Sequence, residues 1–160
     1  MGVARLVLPL ALLVSACATA PDLQADEAAV MAVADRLVKG INAFDADAIA
    51  DLFADDATLF HPIGDPPRYV GIEAIRKSWH DRFDAGRAAG QTQNVVPKRP
   101  VVQLFGDTAI LTFELGDMPA DPAAPGRLSR RTVVMQRTAE DWKIVHLHGS
   151  NILVNQTSPQ

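Results

Sequence analysis

The hydrophobic period of this chain changes once, near Val95, and that change limits the fold more than any other feature. Before it, apolar residues recur three and four apart, the spacing of one helix face. After it they alternate, the spacing of a strand that shows one side to a core. Three helices followed by long antiparallel strands make an α+β fold, with the helices packed on one face of the sheet. No internal repeat and no sustained heptad competes with this reading.

In the first half, Val30, Val33, Leu37 and Ile41 form the helical stripe, with Ala29 and Ala34 filling the same side. Asp26 and Glu27 fall in the first turn, where the helix dipole favours negative charge, and Gly40 lies near the end. Asp45 is placed to cap a second, short helix from Ala46 to Phe53, with Ile49, Leu52 and Phe53 inward. A strand is expected over Ala57 to His61, then a loop from Pro62 to Pro67. Beyond Gly71, the spacing of Ile72, Ile75, Trp79 and Phe83 predicts a third helix, finished by Gly86 and Gly90.

In the second half, Val95 to Phe105 reads as a strand whose Pro97 and Pro100 call for an edge or a bulge. Gly106-Asp107 is a hairpin turn, with Thr108 to Leu115 as the partner strand. Asp117 to Gly126 contains three prolines and is a loop. Leu128 to Arg137 and Asp141 to Val154 form the last hairpin. Along its second strand Trp142, Ile144, His146, His148 and Ser150 alternate with Lys143, Val145, Leu147 and Gly149. Unbroken alternation puts both imidazoles and the hydroxyl on the Trp142 face, the two histidines roughly 6.5–7 Å apart.

The beginning of the chain carries a different signal. Arg5 precedes an apolar run from Leu6 to Val14 that is too short to span a bilayer as an anchor helix. The run ends in Leu13-Val14-Ser15-Ala16-Cys17, which resembles a bacterial lipobox, and Cys17 is the sole cysteine. The competing reading is an ordinary secretory signal cleaved after Ala18-Thr19-Ala20, which Pro21 disfavours. The expected organisation is a lipoprotein signal peptide (1–16), a lipidated Cys17 and tether (17–25), one folded domain (26–155) and a tail (156–160). By resemblance to lipoprotein sorting rules, Ala18 after the cysteine favours the outer membrane, facing the periplasm. Loss of Arg5 leaves 14 Lys and Arg against 19 Asp and Glu, a net charge of −5. That balance argues against a nucleic-acid partner, which would want a basic face. No Gly-rich nucleotide loop is present, so no cofactor is expected.

Several residues are candidates for chemistry. His146 and His148 can act as acid, base or ligand contacts, or form a satisfied core network. Arg131 shares a face with Val133 and Met135, and its planar fork suits a carboxylate or another anion. Its neighbour Arg130 takes the opposite face, and the other reading of Arg131 is a solvated strand charge. His61 with Asp65 makes an acid–base pair or an ordinary polar rim. Trp79 and Phe83 have core spacing. Tyr69 can donate to a bound carbonyl or pack at a mouth. Glu114, if inward, would have a raised pKa and serve as a base; the other reading is outward exposure. Three imidazoles, His61, His146 and His148, resemble a zinc set if they converge, but no tight His-x-x-x-His spacing supports a metal.

The words Ile41-Asn-Ala-Phe-Asp-Ala-Asp-Ala-Ile-Ala-Asp-Leu-Phe53, Asp56-Ala-Thr-Leu-Phe60, Tyr69-Val-Gly-Ile-Glu-Ala-Ile75 and Gly106-Asp-Thr-Ala109 come in this order. With the closing Trp142-Lys-Ile-Val-His-Leu-His-Gly-Ser150, they resemble the nuclear transport factor 2-like superfamily. That group includes ketosteroid isomerase and SnoaL-type polyketide cyclases. The closing motif is most similar to the association domain of calcium/calmodulin-dependent kinase type II and its bacterial relatives. The resemblance implies a curved, cone-forming sheet wrapped on the helices. The cavity inside is then the usual site, and two sheets commonly pack as a homodimer. It also implies pocket arginines, here Arg131; no arginine lies near Gly116, where a further one would be expected. The tyrosine, protonated acid and Asp base of a ketosteroid isomerase have no counterparts at matching positions. Three functions follow. The first is a lipid-anchored module that binds a small polar or carboxylate-bearing molecule through Arg131, His146 and His148, with Trp79, Tyr69, Glu114 and Ser150 around it. The second is a cofactor-free isomerase, cyclase or dehydratase using His146, His148 or His61. The third is an assembly module.

Overall fold

The computed structural model describes residues 22–62, 68–117 and 128–152. The lipobox with Cys17, most of the tether, Asp65, most of the Asp117–Gly126 loop and the tail lie outside the described residues. Among the described residues, no helix is long and apolar enough to cross a membrane.

Helix α1 (Leu23–Ala43) begins three residues before the expected domain start, because Asp22 caps it by accepting from the amides of Gln24 and Ala25. Its stripe of Val30, Val33, Leu37 and Ile41 is buried, as the spacing predicts. Asp26, in the first turn, pairs with Arg137, whose guanidinium also lies 4.5 Å over the Trp142 ring. One arginine thus ties the start of α1 to the last hairpin. Helix α2 (Ala46–Ala50) is capped by Asp45, which accepts from Ala48 N at 2.9 Å. It is shorter than expected. Leu52 has left the helix so that its carbonyl can accept from Ile144 N at 2.8 Å, and Phe53 already belongs to the sheet.

Strand β1 (Phe53–Phe60) therefore starts four residues earlier than the period suggests. A two-residue strand, β2 (Tyr69–Val70), pairs with it and was not legible as a strand. Helix α3 (Ile72–Ala88) follows Gly71 and buries Ile75, Ser78, Trp79 and Phe83. Strands β3 (Val95–Phe105), β4 (Thr108–Asp117), β5 (Leu128–Arg137) and β6 (Trp142–Asn151) complete one sheet of order β2-β1-β6-β5-β4-β3. Beta-1 and β6 run parallel; the other neighbours are antiparallel. The prolines of β3 sit on the edge strand, and the register slips between Lys98 and Val101. Pro97 and Pro100 thus meet both conditions under which a strand tolerates proline.

The face of the sheet that carries Ala109, Leu111, Phe113, Val133, Met135, Ile144 and Leu147 packs on the helices as one core. Asn42 fastens α1 to the edge strand: its amide donates to Val95 O at 2.9 Å and its carbonyl accepts from Val95 N at 2.8 Å. At Gly40 a Cβ would stand 2.6 Å from Ile49 Cγ1, so the glycine is what lets α1 and α2 meet.

Candidate functional site

The alternation along β6 is broken. Met135 pairs with Ile144, but Val134 pairs with His146, so Val145 is an extra residue with no partner of its own on β5. A bulge of one residue moves every later side chain to the other face. Trp142 and Ile144 are buried ahead of it; Leu147 and Gly149 are buried beyond it. His146, His148 and Ser150 consequently stand on the outer face of the sheet, away from the helices. The reading that joined them to Trp142 on one face is corrected by this bulge.

On that outer face His146 Nδ1 lies 2.7 Å from Thr58 Oγ1. Phe60 meets both imidazoles edge-on, 5.6 Å from the His146 ring and 5.7 Å from the His148 ring. Desolvation, then the neighbouring His148, lowers the pKa of His146. Glu114 is on the same outer face, paired to Arg99, which holds its carboxyl below the usual range. It is not an inward carboxylic acid with a raised pKa. Because His61 is on the inner face, the three imidazoles do not converge. Among the described residues no cluster of three His, Cys, Asp or Glu is placed to hold a metal ion.

The inner face assembles a different set. Parity along β1 runs Ala57, Leu59, His61, so His61 follows two core residues inward at the strand's end. Its Nε2 lies 3.1 Å from Ser78 Oγ on α3. The Trp79 ring is 4.7 Å away edge-on, and the Tyr69 ring 5.5 Å. Burial, then the charges of Arg82 and Arg131, lowers the His61 pKa from 6.5 to about 4, so the ring is neutral near pH 7.

Arg131 comes from β5, opposite Phe113 and Gly149, on the inner side as its parity with Val133 and Met135 predicts. Arg130 is exposed and pairs with Glu114 and Ser150 across the outer face. The Arg131 guanidinium donates to Arg130 O at 3.0 Å. Among the described residues no carboxylate lies within ion-pairing distance of it. Desolvation and the charge of Arg82 lower its pKa to about 10, which leaves it fully charged at neutral pH. Trp79 is 6 % exposed, and its indole N–H has no partner among the described residues. The site is therefore a half-buried cation and a neutral imidazole, walled by aromatic rings.

The sequence matches the SnoaL-like domain family over residues 30–155. The chain belongs to the SnoaL-like family. Solved structures agree with that fold. A Streptomyces avermitilis protein assigned as a dehydratase of the NTF2-like family superposes with a TM-score of 0.68 at 20 % identity, covering 82 % of this chain and 99 % of its own. The CaMKII hub of S. rosetta gives 0.62 at 27 % identity, covering 78 % and 95 %. A Parabacteroides distasonis protein assigned as a ketosteroid isomerase gives 0.59 at 22 % identity, covering 78 % and 86 %.

Within this SnoaL-like domain, the structure brings together Arg131, His61, Trp79 and Tyr69 of the residues singled out in the sequence. It sets His146, His148, Ser150 and Glu114 apart on the opposite face. Sequence reasoning missed Ser78 and Arg82. The signal for Ser78 was a hydroxyl inside the apolar ridge of α3, three residues after Ile75. Arg82, one turn later, carries no such mark, and its charge lowers the pKa of both His61 and Arg131.

Proposed function

We propose that the inner face of the cone binds a small molecule carrying a carboxylate or another anionic group, gripped by Arg131. The observation that carries this reading is a half-buried guanidinium with no carboxylate partner among the described residues. Burying a charge is costly unless an opposite charge meets it, and a bound anion would supply one. A planar guanidinium offers two parallel donors to a carboxylate. Arg82 adds positive charge nearby, while Trp79 and Tyr69 suit an apolar body. A panel of carboxylates screened by thermal shift on the full chain tests it. A ligand at a hundred times its Kd would stabilise the protein by about 2.7 kcal/mol. Arg131→Ala should abolish the shift; shifts that persist in the variant would overturn the reading.

The family match supports a small-molecule enzyme or binding domain, and the dehydratase- and isomerase-assigned neighbours favour turnover as a second reading. His61, neutral near pH 7, is then the inner-face group able to move a proton. His146 and His148 belong to a different reading, homodimer formation through the outer face. Phe60, Val134 and Ile110 are only half-buried there, and Val101 and Phe105 are 56 % and 58 % exposed. The resemblance to a hub structure supports assembly of this kind. At the other end of the chain, we place the protein in the cell envelope, held at the outer membrane by a lipid on Cys17. Cys17→Ser should release it from membranes; retention would count against the lipobox.

A further inference from the structure

We infer that Ser78 fixes His61 with its proton on Nε2, so that Nδ1 is a bare acceptor and the site selects anions that also carry a hydrogen-bond donor. The inference rests on the anion-binding reading of Arg131 and goes further, to what else the ligand must bring.

The steps are stereochemical. A serine hydroxyl has a single proton to give. Ser78 Oγ lies 2.7 Å from Ile75 O, an acceptor that has no proton of its own, so the hydroxyl proton is spent there. At the 3.1 Å contact with His61 Nε2, Ser78 Oγ must therefore accept. The proton between them belongs to Nε2. Since the ring is neutral, Nδ1 then has only its lone pair. No hydrogen bond to Nδ1 is present among the described residues. Nor is that atom sealed: the fully enclosed side-chain polar atoms left unpartnered there are the indole nitrogens of Trp79 and Trp142. An anion's own oxygens would repel the lone pair, and Arg131 already answers them. What satisfies Nδ1 is an N–H or O–H on the same ligand. Ser78 is thus a positioning residue, acting through His61.

The test uses the full-length chain with three aryl acids: mandelate, phenylacetate and O-methylmandelate. They share the carboxylate and ring, and mandelate alone has the hydroxyl proton. Histidine ¹⁵N spectra give the tautomer directly. Expected are a pyridine-type Nδ1 and a pyrrole-type Nε2 for His61 in the unliganded protein. Mandelate should bind roughly tenfold tighter than the other two, the worth of about one hydrogen bond. Ser78→Ala should give mixed tautomers and erase that preference, while Ser78→Thr should keep both. A protonated Nδ1 in the unsubstituted protein would overturn the inference, whatever binds. Equal, Arg131-dependent binding of all three acids would overturn the selectivity and leave the anion site standing. Binding of none of them, with the tautomer as stated, would overturn the selectivity and the anion reading together.

Discussion

Arg131 lies across Gly149, with Nη1 2.8 Å and Cζ 3.1 Å from where a Cβ at position 149 would be; Pro62 Cδ is 3.0 Å from the same point. The missing side chain is the bed of the guanidinium. Gly149→Ala should therefore push the tip of Arg131 aside. Its side chain is long and free to swing, so the stability loss should be small, within about 1 kcal/mol. Arg131-dependent ligand binding should fall far more. Parallel thermal melts and titrations of the variant would show that split; an intact affinity would mean the guanidinium grips nothing from that position.

Replacing Arg131 by methionine removes a half-buried charge that no carboxylate among the described residues offsets. The unliganded protein should be as stable as before or more stable by about 1 kcal/mol, the direction seen when buried ionic groups give way to apolar ones. The same change removes one cause of the low His61 pKa. An NMR titration of His61 should consequently move upward from about 4, towards its ordinary value.

Acid stability should report His61 as well. Its folded pKa, about 4, lies below the ordinary 6.5. Between those values the unfolded chain holds a proton that the folded chain refuses. Stability is then complete above about pH 6.5 and declines as the pH falls toward 4. The loss attributable to this ring should be on the order of 2 kcal/mol. Denaturant midpoints measured from pH 7 to pH 4 should show a shallower decline in His61→Asn. Parallel curves for the two proteins would contradict the assignment.

Asn42 offers a purely structural check. Its two bonds to the backbone of Val95 hold the edge strand to α1. Asn42→Ala leaves a backbone N–H and a carbonyl without those partners. A cost of about 1–3 kcal/mol follows, read as a lower denaturant midpoint with an unchanged m-value.

The outer face makes its own prediction. Phe60, on β1 next to β6, meets the rings of both His146 and His148. If two copies pack by this face, Phe60→Glu should convert a dimer into a monomer in sedimentation velocity. The inner-face site should still bind its ligand, because Phe60 points away from it.

The layout of elements was legible in the chain itself. The change of period near Val95, the cap at Asp45, the negative charge in the first turn of α1 and the Gly106-Asp107 turn are local signals. Local backbone physics decides them. The inward placement of Arg131 was legible too, since β5 keeps its alternation from Ser129 to Met135. What the tertiary structure alone decided was the facing of the tail. The residue Val145 is unremarkable in sequence, yet it is where both neighbours of β6 change register: β5 between Val134 and Met135, β1 between Phe53 and Thr58. A bulge costs a local pairing and is repaid by the bend it gives the sheet, which is a property of the whole fold and not of nine residues. That one added residue turned His146 and His148 outward and left the inner face to Arg131, His61 and the serine beneath it.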